Sequence, residues 1–257
     1  MKGYGCALCW PTPAHRPMGD IDIFCPESVK IDSLVEKEWG LRIDKSNPHH
    51  SIFSFNGVTV ENHHTVLDIH IHRQNELLEP LLEELAQEEP RKVMIGDEEL
   101  HLPPVRFQAI HLLRHTSLHF PEDNVTLRQI VDWATFVINT STVQDWKFMT
   151  DIANRYKMNK FLDAMNAVCV DYLGFPSDMF PISQRDDEMR DRLLSAVLNS
   201  PFQSVKKASE YSNTFTLLCS RVQYCRKNGW KYKLAFDENA GMVFYQLCRE
   251  FINKQGK

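Results

Sequence analysis

An α+β fold is expected for this chain, on three observations. Up to Leu102 short alternating runs broken by Asn-Gly, Gly-Asp and proline turns, the habit of strands and hairpins, stand between helix-spaced stretches. Beyond Pro103-Pro104 they recur every three or four residues, the habit of helices. A chain of 257 residues that is 43% apolar has enough material for two packed lobes. The expected division is a small mixed-sheet domain over 1–102 and an α-helical domain over 103–257.

Taken in order, Tyr4 to Trp10 has the spacing of a short helix, with Cys6 and Cys9 as small buried thiols or, less simply, half of a zinc knuckle. Gly19-Asp20-Ile21-Asp22-Ile23-Phe24 is strand-like, so Asp20 and Asp22 share one face and Ile21 and Ile23 the other. Two carboxylates about 6 to 7 Å apart along a strand repel each other unless a cation lies between them. Asp-x-Asp therefore reads either as a divalent-metal edge, with water and phosphate oxygens completing Mg²⁺, or as a solvated acidic face.

Pro26-Glu27-Ser28 starts an amphipathic helix through Val29, Ile31, Leu34, Val35 and Trp39, and Gly40 stops it. Ser51–Phe55 and Val58–Glu61 form a hairpin about Asn56-Gly57. Thr65–Arg73 alternates as a third strand, carrying Asp68, His70 and His72 on one face. That face suits a carboxylate site shared with Asp20 and Asp22, a zinc-type site, or solvent. Glu76–Glu89 is a surface helix with a solvated acidic face, and Val93–Leu102 a second hairpin about Gly96-Asp97.

In the helical part, His111, His115 and His119 form one stripe, which either lines a cleft or holds a metal. Arg128 begins the next helix as a phosphate contact or as the i, i+4 partner of Asp132. Further helices are expected over Trp146–Tyr156, Lys160–Leu173, Glu188–Leu198, Phe215–Lys227 and Gly241–Asn253.

Lys2-Gly3, the stretch Arg16-Pro17-Met18-Gly19-Asp20-Ile21-Asp22, Asp68-Ile69-His70, and the later His-x-x-x-His and Leu-Arg-x-x-x-Asp order resemble the DNA polymerase β-type nucleotidyltransferase superfamily, most closely its uncharacterised bacterial branch. The resemblance covers roughly the first 135 residues. It implies transfer of a nucleoside monophosphate from an NTP to an acceptor, with Mg²⁺ or Mn²⁺ held by Asp20, Asp22 and Asp68 as catalytic carboxylates. It also implies nucleotide contacts from Lys2, Gly3, Arg16, Gly19 and Arg128, and a cleft lined by His70, His111, His115 and Asp132. The strand that precedes the Lys-Gly pair in that superfamily is expected to be missing. Two other readings stand beside it: a catalytically inactive nucleotide-binding or interaction module of the same fold, and a zinc hydrolase built on His70, His72 and Asp68.

A net charge of -5 and a pI near 6.1 argue against an extended nucleic-acid surface. No apolar run approaches the roughly 18 residues of a membrane span. Seven scattered cysteines fit reduced thiols and a cytoplasmic setting. The acceptor is left open, from a small molecule to a macromolecule.

Overall fold

The structure, a computed structural model, describes residues 3–69, 72–122, 125–140, 143–199, 214–239 and 241. The chain is α+β and forms two compact units, Met1–Leu112 with Thr135–Asp145, and Leu113–Ala134 with Trp146–Lys257.

The first unit begins with α1 (Tyr4–Ala7), followed by a 3₁₀ turn at Pro13–His15, β1 (Ile21–Phe24), α2 (Ser28–Trp39), β2 (His50–Phe55), β3 (Val58–His63), α3 (Arg73–Leu85), β4 (Arg91–Ile95) and β5 (Glu98–Leu102). β3 is central in a mixed three-stranded sheet, parallel to β1 and antiparallel to β2. The hairpin joining β2 to β3 turns through Asn56 at φ 50° and Gly57 at φ 80°, the left-handed pair that a tight hairpin needs. β4 and β5 pair separately about Gly96. Gly40 ends α2 in the left-handed conformation.

Strand parity sorts the mixed sheet into two unlike faces. Ile23, Phe53 and Val60 pack with Val35 and Ile31 of α2. The same face is pinned by a polar clamp: Asp32 of α2, only 2% exposed, accepts from Ser51 Oγ at 2.7 Å and from Asn62 Nδ2 at 2.8 Å. Because a buried donor without its acceptor keeps its desolvation cost, Asp32→Ala is expected to lower unfolding free energy by about 2 kcal/mol. Urea titration would show it, and a loss below roughly 0.5 kcal/mol would mean that water replaces the carboxylate. The opposite face carries Asp22 on β1, Glu61 and His63 on β3, and His50 on β2.

The expected third strand over Thr65–Arg73 does not form among the described residues. β3 stops at His63, residues 64–69 run irregularly, and α3 begins at Arg73. The cause is competition for backbone donors and acceptors: Val66 N and Leu67 N donate to Glu79 of α3 at 2.5 and 2.9 Å, and the Asp68 carbonyl accepts from Asn75 Nδ2 at 2.8 Å. Amides given to side chains in this way are not available to a ladder.

α1 sits under α4 (Val105–His119), whose Gln108 donates to Cys6 Sγ at 3.6 Å, and under Asn139 of α5 (Leu127–Thr140), which donates to the Cys9 carbonyl at 3.0 Å. Cys6 and Cys9 are both buried.

The second unit comprises the remainder of α4 and α5, then α6 (Val143–Arg155), α7 (Asn159–Asp171), α8 (Asp187–Leu198) and α9 (Thr214–Phe236). Trp133 fills its core and donates from Nε1 to Asn166 Oδ1 at 2.9 Å. Phe161, Met165, Val168 and Leu193 close around α7 and α8. Sequence punctuation at Gly229 suggests a helix end near Lys227, yet α9 continues to Phe236, because Tyr232, Leu234 and Phe236 extend its buried face. The helix expected over Gly241–Asn253 lies outside the described residues apart from Gly241. No helix among the described residues is long and apolar enough to cross a membrane.

Candidate active site

Parallel pairing of β1 with β3 puts Asp22 opposite Glu61, on the face turned away from α2. Two residues along the same face of β3 stands His63. Its Nε2 lies 3.3 Å from Asp22 Oδ1 and 3.5 Å from Glu61 Oε2, and the three side chains form a group whose ligand atoms all lie within 4.8 Å of one another. Asp22 is 8% exposed and His63 is 7% exposed, so these polar groups meet in a poorly solvated place.

Asp22 also lines a cavity of about 840 Å³, together with Gly3, Gly19 and Asp20. Its other walls are largely apolar, with Tyr4, Ile21, Leu102 and Phe107 among them. Gly3 has φ 62°, a conformation that any side chain would strain, and a Cβ there would lie 3.9 Å from the Asp20 carbonyl. Gly19 has open space around it. The backbone is therefore bare where it borders the carboxylates.

The sequence-derived candidates among the described residues can each be located. Asp20 is exposed, immediately before β1, and lines the cavity beside Asp22. Asp68 is half-buried in the irregular segment after β3, not on a strand, and belongs to neither of the two candidate metal groups among the described residues. Arg16 is buried and its Nη1 donates to the Pro17 carbonyl at 3.4 Å. His111 is buried and stacks on Phe107, their ring centroids 5.9 Å apart. His115 and His119 have ring centroids 4.3 Å apart. Arg128 and the buried Asp132 stand one turn apart on α5. Lys2 and His70 lie outside the described residues.

Glu61 and His63 are the residues that sequence reasoning missed. Their signal was present: in Val58-Thr-Val-Glu61-Asn-His63 the alternation that makes a strand also puts Glu61 and His63 on one side. The group of Asp22, Glu61 and His63 offers two carboxylates and one imidazole, and Asp20 lines the cavity beside Asp22; carboxylate oxygens are the donors that hard divalent cations favour.

This α+β unit has in-register carboxylates on adjacent parallel strands, next to bare backbone and a cavity, and its Asp22, Glu61 and His63 form a group that could hold a metal ion. Residues 1–174 match the protein-family model described as an uncharacterised nucleotidyltransferase, and the chain belongs to that family. Comparisons with curated proteins and with solved structures found no match.

Proposed function

We propose that this chain transfers a nucleoside monophosphate from an NTP to an acceptor hydroxyl, using Mg²⁺ or Mn²⁺. The observation that carries the reading is Asp22: a buried carboxylate on the wall of a cavity, with Glu61 as its register partner and Asp20 at the rim. In the reaction the acceptor oxygen bonds to the α-phosphorus while the bond from that phosphorus to the oxygen bridging the β-phosphate breaks. Pyrophosphate leaves with that electron pair, and the acceptor proton passes to a carboxylate of the site or to water. Asp20, Asp22 and a third carboxylate would hold the cation, which when bound neutralises phosphate charge and polarises the phosphoryl oxygens.

Register supports Glu61 as the third carboxylate, and resemblance supports Asp68. Gly3 and Gly19 would admit phosphate close to the backbone, while Lys2, Arg16 and Arg128 would supply positive charge. His70, His111, His115 and Asp132 are proposed to line the cleft. The free thiols at Cys6, Cys9, Cys25, Cys169, Cys219 and Cys225 support a reducing, cytoplasmic setting.

The test is melting of the untagged chain with Mg²⁺ and each of the four NTPs, alongside assay of pyrophosphate release. A Mg²⁺-dependent rise in Tm with at least one NTP is expected. Failure of all four to shift it, with no pyrophosphate formed, would sink the transferase reading. Comparing Glu61→Gln with Asp68→Asn then identifies the third carboxylate, since only the true ligand's loss removes the shift.

A further inference from the structure

We infer that His49, His50 and His63 form a second metal site, for a borderline divalent ion of the zinc, cobalt or nickel type, on the far side of His63 from the carboxylates. β2 begins at His50 and β3 ends at His63, and the two are Cα partners in the antiparallel ladder, with His49 just before them. The three rings lie mutually close, with centroids 4.7, 5.3 and 5.4 Å apart. Three imidazoles sharing a tetrahedral ion at nitrogen distances near 2.0–2.1 Å would have centroids about 5 Å apart.

Hydrogen bonding fixes which nitrogens carry lone pairs. Thr65 Oγ1 donates its proton to the Leu67 carbonyl at 2.7 Å, so its oxygen accepts from His49 Nδ1 at 2.8 Å. His49 is thus the Nδ1–H tautomer, and its Nε2 presents a lone pair 3.2 Å from His63 Nδ1. On its other side His63 Nε2 faces Asp22 and Glu61, whose carboxylates only accept. A neutral His63 has one N–H for two acceptor neighbours. With that N–H turned to the carboxylates, the lone pairs of His63 Nδ1 and His49 Nε2 point at each other, which a cation between them resolves. Their spacing of 3.2 Å is close to the edge of a tetrahedron built on such bonds, about 3.4 Å.

His50 supplies an independent observation. Its Nδ1 is buried with no hydrogen-bond partner, although ligand nitrogens of all three histidines lie within 4.8 Å of one another. Imidazole suits borderline transition ions, whereas carboxylate suits Mg²⁺, so the two sides of His63 select different metals. An ion at His63 Nδ1 also holds the N–H on Nε2, aimed at Asp22, the carboxylate–histidine–metal pattern in which an outer partner orients the ligand. Here it orients a carboxylate of the proposed active site as well. His63 and His49 are positioning residues in this sense.

The experiment is titration of the untagged full-length chain with Co²⁺, followed by visible absorption and calorimetry, then competition by Zn²⁺. One equivalent is expected, with the d–d bands of a four-coordinate nitrogen-rich site. His49→Ala and His50→Gln should each weaken binding more than about tenfold, and Thr65→Val by about tenfold with recovery in Thr65→Ser. Asp20→Asn and Asp68→Asn should leave it unchanged. Circular dichroism of each variant separates lost binding from lost folding. Long-range ¹H–¹⁵N spectra of the wild-type imidazoles give a reading without any variant, with Zn²⁺ shifting His49 Nε2 and His63 Nδ1. Binding that survives the His49 and His50 changes but disappears in Glu61→Gln would overturn the proposal, and so would no bound ion together with protons on both nitrogens of His63. Because the readout is Co²⁺ on the chain alone, it stands or falls separately from any response to nucleotide.

Discussion

Asp22→Asn is expected to abolish the response of this chain to Mg-NTP while leaving the protein without nucleotide nearly as stable as the parent. The substitution keeps shape and keeps an oxygen able to accept from His63 Nε2, at present 3.3 Å from Asp22 Oδ1. It also relieves the repulsion between Asp22 and its register partner Glu61. Stability without nucleotide should therefore change by less than about 1 kcal/mol, the two effects opposing each other. Metal ligation has no such compensation, since an amide is a far poorer ligand than a carboxylate for a hard divalent cation. For the parent, ligand at a hundred times Kd adds about 2.7 kcal/mol, a Tm rise of roughly 5–10 °C for a protein of this size. The variant should show less than about 1 °C, and pyrophosphate release should fall on the order of a thousandfold. Melting curves with and without Mg²⁺ decide it. An unchanged nucleotide shift in the variant would remove Asp22 from the site, and with it the reading of the cavity as a nucleotide site.

What the sequence disclosed was whatever local chemistry determines. The hairpins about Asn56-Gly57 and Gly96-Asp97, and the stop at Gly40, follow from backbone conformations that few residues adopt, so they were visible in a few letters. The placing of Asp22 on β1, on the face opposite Ile23, followed from parity alone. The segment after His63 was misread because the deciding group is distant: Thr65–Arg73 alternates as a strand would, but a carboxylate at position 79 takes two of its amides. Without that carboxylate in view the pattern has no flaw. Glu61 and His63 were missed for a different reason. Their parity could be read, but which strand lies beside β1 could not, and only the parallel β1–β3 pairing brings them to Asp22. His49 and His50 become a cluster only once the hairpin register makes His50 the partner of His63.

The second large effect concerns Glu79, and it is a dependence on pH. Burial raises its carboxyl from 4.5 to about 7, against the opposing pull of the Leu67 and Val66 amides; Glu83 adds to the rise and His63 subtracts from it. Between those two values the folded chain holds a proton on Glu79 that the unfolded chain has lost. Stability from this group is therefore fully present below about pH 4.5 and declines as pH rises towards 7 and beyond. A rise of that size, net of the two amide donors, corresponds to about 3 kcal/mol. Glu79→Gln removes the titration but leaves one oxygen to serve both amides, so the variant should be less stable than the parent at pH 5 by about 1–2 kcal/mol. By pH 8 the parent, now carrying a buried charge, should have lost that lead or fallen behind. Urea unfolding of both proteins at intervals from pH 5 to 8 measures the difference and cancels every group they share. Parallel stability curves would show that Glu79 stays ionised throughout, held by Val66 and Leu67. Converging or crossing curves would show a neutral carboxyl at low pH anchoring the segment that leads to Asp68, one that loosens as Glu79 ionises.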